Sequence, residues 1–147
     1  MLEDRPFGME DYTNKSNQNI HVSALNREVG GEHYKSAYQP IQLMENVKMY
    51  ACCSFILKYV YRYKNKNGKQ DLEKALHCCE LLEQLGENWY QGNGRIGDFD
   101  TSRDEFYKFI KANKQLDANQ IRAILAIENR DMKTLKYVIN DDIIRLS

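Results

Sequence analysis

Two prolines and eight glycines are all that punctuate this chain of 147 residues. That scarcity disfavours a turn-rich β-sandwich, and the abundance of Lys, Glu, Leu, Asn and Tyr predicts an all-α fold. Net charge is missing too: 21 Lys and Arg balance 21 Asp and Glu. A globally basic nucleic-acid binder is thereby disfavoured and no long nucleic acid is expected, though a local basic patch remains possible. No apolar run is long enough to span a bilayer; the longest, Ala51 to Leu57, is short and interrupted by Ser54. The charged start Met1-Leu2-Glu3-Asp4-Arg5 has no apolar segment behind it, so the expectation is a cytoplasmic protein without a secretory signal or membrane contact. No G-x-x-x-x-G-K-[ST] loop occurs anywhere, and any phosphate chemistry must proceed without one. The four cysteines form two adjacent pairs, Cys52-Cys53 and Cys78-Cys79. Neither has the two-residue gap of a metal knuckle, which predicts reduced core thiols and no metal site.

What is present is a chain long enough for one globular domain with a small annex. Residues 1–27 are polar, with scattered single hydrophobes, and read as a flexible N-terminal arm. A helical domain is expected over 28–86, a linker loop over 87–101 and a C-terminal annex of three helices over 102–147. In the helical domain, Gln39-Pro40-Ile41 puts proline where a helix can begin. Apolar residues then recur at helical spacing from Ile41 to Tyr63, with a possible break between Val47 and Tyr50. Asn65-Lys66-Asn67-Gly68 is a polar stop, and a second helix follows from about Gln70 to Leu85. The short linker predicts a central antiparallel helical hairpin. In the annex, Ser102 to Glu105 and Asp117 to Gln120 both have capping-box form, and a further helix is expected from about Asp131.

Gly92-Asn93-Gly94-Arg95-Ile96-Gly97 matches the dinucleotide fingerprint, but no strand feeds it, which favours an ordinary loop. His33 and His77 read as structural residues, because no acidic cluster or nucleophile is spaced to join them. A sharper signal lies between Lys58 and Lys74, where six basic residues face only Asp71 and Glu73. Lys58 and Arg62 share a helix face, Lys64, Lys66 and Lys69 follow around the turn, and Tyr59, Tyr61 and Tyr63 interleave. Cations meet phosphates and rings stack on bases, so this composition suits a nucleotide. It equally suits two solvated helix ends with their aromatic stems packed inward.

The segments Val29-Gly30-Gly31-Glu32-His33-Tyr34-Lys35, Gln39-Pro40-Ile41, Lys58 to Gly68 and Asp71 to Ala75 together resemble a small phage and prophage family described as nucleotide kinase-like. The resemblance covers about Val29 to Leu85. It implies an all-helical domain and, at matching positions, a ligand pocket drawn from His33, Tyr34, Gln39, Lys58, Tyr59, Arg62, Lys66, Asn67, Asp71 and Lys74. Family members usually carry Gly-Asn where this chain has Ser54-Phe55. A kinase of this type implies ATP and Mg²⁺ as cofactors, with Asp71 orienting a cation or holding the metal, whereas a protein that only binds needs neither. Three functions follow as expectations: binding or phosphorylation of a (deoxy)nucleoside phosphate, sequestration of a nucleotide-derived immune signal as an anti-defence protein, or a helical module for protein partners. The limited core of a helical hairpin also predicts a homo-oligomer.

Overall fold

The computed structural model describes residues 24–25, 37–92 and 101–147. Two compact units divide the chain, Met1–Lys35 and Ser36–Ser147. In the first, only Ala24 and Leu25 are described, and both are helical. The second is all-α, as its composition predicts: six helices and one short 3-10 turn, with no strand among the described residues.

Helix α1 (Pro40–Val47) opens on proline, and a capping box between Gln39 and Gln42 satisfies its first amides. Lys48, in the left-handed conformation at φ 60°, ends it. The possible interruption near Val47 is therefore a real break. Its exposed backbone finds partners in the segment after the hairpin: Tyr50 N–H donates to the Trp89 carbonyl at 3.1 Å and Gln91 N–H to that of Lys48 at 2.9 Å. Helix α2 (Ala51–Arg62) runs into the 3-10 turn Tyr63–Asn65, and α3 (Lys69–Leu85) begins after Gly68 at φ 55° and ends at Gly86 at φ 66°. Both glycines take backbone angles that side-chain-bearing residues avoid, which is why the punctuation falls at those two places. The two helices form the expected antiparallel hairpin, the most extensive pairing in the fold.

Helices α4 (Ser102–Ala112), α5 (Ala118–Glu128) and α6 (Met132–Arg145) complete the unit. Two of them pack on the hairpin directly, α6 on α3 and α5 on α2, while α4 packs on α1 and on α5. The resulting core includes Leu43, Ile56, Leu57, Leu72, Phe106, Phe109, Ile124 and Leu135, all but shut off from solvent. Polar bonds tie the same elements. Buried Gln120 donates to the carbonyls of Val60 and Tyr61 at 3.0 and 3.3 Å, satisfying the end of α2, while its oxygen accepts from Asp117 N–H at 3.0 Å. Tyr63 donates to the buried Asp142 carboxylate at 3.2 Å. Burial pushes the Tyr63 hydroxyl well above the ordinary tyrosine range, and Asp142 adds to the shift.

Of the two capping boxes expected downstream, the one from Asp117 to Gln120 forms. The one from Ser102 to Glu105 does not: the N-cap is Thr101, without a side-chain cap bond, and Ser102 is the first helical residue and is buried. With Ser102 inside the helix, the Glu105 carboxylate lies beyond the box and accepts from Tyr38 Oη at 2.6 Å. Burial and that carboxylate push the Tyr38 hydroxyl up to about 12. At Asp117, burial alone would raise the pKa, but ion pairing with Lys64 and the cap bonds outweigh it and the pKa is lowered. A depressed carboxylate stabilises the fold above its unfolded pKa and loses that contribution as pH falls through the folded value. Asp117→Ala should therefore cost about 1 kcal/mol at neutral pH, as cap removals do. In urea melts that difference should shrink below about pH 4, the ordinary carboxylate range; a cost independent of pH would contradict the assignment.

All four cysteines are free and buried, as their spacing suggested. Burial raises every one of these thiols, that of Cys79 to about 12, which suits inert core residues. No described helix is long and apolar enough to cross a membrane.

Candidate functional site

The hairpin concentrates its charge around one ring. Tyr59, half-buried on α2, has Lys58 Nζ 4.9 Å from its centroid, the Arg62 guanidinium carbon at 5.2 Å and Lys74 Nζ, from α3, at 5.8 Å. Residues 58 and 62 are one helical turn apart, and the antiparallel return brings residue 74 alongside. Lys58 also lies 5.1 Å from the Phe55 ring, which is 47% exposed. Burial, followed by repulsion from Arg62, lowers the Lys58 pKa; Asp71 and Cys78 oppose that shift. A lysine so placed gains from any anion that restores its charge.

Beside this cluster an open pocket of about 370 Å³ is lined by Tyr59, Gln70, Glu73, Lys74, His77 and Cys78. Its α3 wall follows a helical ridge at 70, 73/74 and 77/78, with the His77 imidazole, the Glu73 carboxylate and the Gln70 amide all on exposed residues.

Asp71 has a different role. Its side chain is wholly buried, and Arg62 Nε and Nη2 donate to its two oxygens at 3.1 and 3.3 Å. The backbone N–H and side-chain amide of Asn67 both donate as well, each at 3.4 Å. Asp71 thus orients a cation, but the cation is Arg62, and the pair with Asn67 locks the turn between α2 and α3. Because both carboxylate oxygens are engaged and buried, Asp71 as placed does not fit a magnesium ligand. Glu73 is left as the one carboxylate on the pocket wall, too few for a hard dication that wants several oxygens.

The sequence-derived ligand residues therefore separate into groups. Lys58, Tyr59, Arg62 and Lys74 come together around the Tyr59 ring. Asn67 and Asp71 are joined to them through Arg62, as a clamp beneath the site rather than a wall of it. Lys66 is exposed on the turn. Gln39 belongs to the capping box of α1. His33 and Tyr34 lie outside the described residues, as do residues 93–97 of the glycine-rich match. Sequence reasoning overlooked Gln70, Glu73 and Cys78 as pocket residues and set His77 aside. The signal was available in their shared ridge with Lys74.

Residues 29–80 match a family model. The family is DUF3310, described as a protein of unknown function. The DUF3310 match covers about a third of the chain. It nonetheless contains every residue that lines the Tyr59 pocket and the whole Arg62-Asp71-Asn67 clamp. Helices α4 to α6 lie beyond it. No curated protein and no solved structure matches the chain.

Proposed function

We propose that this protein binds a (deoxy)nucleoside phosphate at the Tyr59 pocket and holds it rather than transferring its phosphate. What supports this reading above all is the gathering of three cations from two helices around one half-buried aromatic ring, next to an open pocket. The base packs against Tyr59 and the exposed ridge of α3, where Gln70, Glu73 and His77 offer both donors and acceptors. The phosphate meets Lys58 and Lys74. Arg62 contributes field more than contact, since its fork is turned to Asp71. The resemblance of the hairpin motifs to phage nucleotide kinase-like proteins supports a nucleotide over other organic anions. Holding is favoured over transfer because Asp71, the carboxylate a kinase would need for its metal, is consumed in the clamp.

Titration calorimetry with the common nucleoside mono-, di- and triphosphates tests the reading. At least one should bind, and Tyr59→Ala, Lys58→Ala and Lys74→Ala should each weaken it about tenfold or more, equivalent to about 1.4 kcal/mol. Absence of binding across the panel, or unchanged affinity in all three variants, sinks it. Incubation of the bound nucleotide with ATP and Mg²⁺ should return it chemically intact by mass spectrometry; a phosphorylated product would make the protein an enzyme.

A further inference from the structure

Lys58 sits where an amine is pressed to give up its proton. Its Nζ is close to two rings, 5.1 Å from the Phe55 centroid and 4.9 Å from that of Tyr59. Two further cations border the Tyr59 ring, Arg62 on the same helix and Lys74 on the next. Like charges gathered this closely repel, and the strain is relieved when one of them becomes neutral. Arg62 cannot be that one, because a guanidinium keeps its proton and this one is paired with Asp71. Lys74 is exposed, whereas Lys58 is partly covered. The ring faces favour the charged amine; among the burial and charge effects, burial and Arg62 outweigh Asp71 and Cys78 and lower its pKa. A partly covered lysine beside other cations holds a larger share of the unprotonated amine that nucleophilic attack requires than an exposed lysine does.

The pocket next to it is lined by Tyr59 and, from the opposite helix, by Lys74. We propose that Lys58 is a covalent modification site for phosphate-bearing aromatic aldehydes, with Lys74 holding the phosphate and Tyr59 stacking on the ring. The neutral Lys58 nitrogen adds to the carbonyl carbon, its proton passes to the carbonyl oxygen, and loss of water leaves an imine. No oxidant or reductant enters this step. The inference uses the same pocket as the nucleotide reading but does not depend on a nucleotide occupying it.

Pyridoxal phosphate is the probe, added below stoichiometry to the full chain; borohydride then supplies the hydride that fixes the imine as a secondary amine. Peptide mapping by mass spectrometry should find the label mainly on Lys58, ahead of exposed Lys66 and Lys69 on the turn. Lys58→Arg should abolish that label without raising the others. Lys74→Ala should lower it about tenfold, the effect of losing one charged hydrogen bond. Pyridoxal without its phosphate should show no preference for Lys58. Labelling spread evenly over the exposed lysines, a Lys58 label indifferent to Lys74→Ala, or equal labelling by pyridoxal would each overturn the inference. Nucleotide binding together with even labelling removes only this inference, whereas selective labelling of a protein that binds no nucleotide supports it and removes only the nucleotide reading.

Discussion

Asp71→Ala should cost about 3–5 kcal/mol of folding free energy, the range seen when one member of a buried ion pair is removed. Asp71 is fully buried and receives four hydrogen-bond donors, two from Arg62 and two from Asn67. Removing the carboxylate leaves a guanidinium that is itself largely covered, together with two donors that lose their acceptor. The same change frees the turn between α2 and α3, and with it the spacing of Lys74 from Tyr59. Urea denaturation followed by circular dichroism measures the first effect. A double-mutant cycle with Arg62→Ala should show strong coupling, because the second deletion removes the stranded charge. A loss below about 1 kcal/mol would place the pair among exposed ion pairs and contradict its burial.

Phe109→Ala should be comparably severe, again about 3–5 kcal/mol, for a different reason. Its ring is fully buried and meets Tyr38 edge-on at 5.5 Å and Tyr61 at 5.7 Å. It therefore joins α4 both to the segment before α1 and to α2. Truncation leaves a cavity among apolar walls, so the loss combines transfer free energy with missing dispersion contacts. Because the three C-terminal helices share the core of the hairpin, the variant should unfold in one transition that also carries α2 and α3. Two separate transitions, with the hairpin surviving the loss of α4, would show that the C-terminal helices are energetically independent.

Much of the fold was legible in the sequence because it is written in local rules. Pro40, Gly68 and Gly86 mark where helices start or stop, and the apolar spacing of Leu72, Ala75, Cys79 and Leu82 gives the buried face of α3. The capping box at Asp117 is local and forms; the one expected at Ser102 does not, because the helix begins one residue earlier with Thr101 as N-cap, and Glu105 accepts from Tyr38, 67 residues away. The gathering of Lys58, Tyr59, Arg62 and Lys74 was legible for the same reason, since a hairpin with a short turn brings those turns of helix together. The roles of Asp71 and Asn67 were not. Helical spacing says which residues share a face, but not which of two oppositely charged residues on adjacent helices will be buried together.

The sequence alone thus determined an all-α chain and a neutral total charge that conceals a basic, tyrosine-bearing turn. Tertiary structure alone decided how those charges are employed. By burying Asp71 against Arg62, the packing of α2 on α3 converts the acid beside the basic run into a clamp, while Lys58 and Lys74 remain beside the Tyr59 ring. The physical reason is desolvation: a carboxylate taken out of water must be matched by a cation and by hydrogen bonds, and only the three-dimensional approach of two helices determines which cation that is.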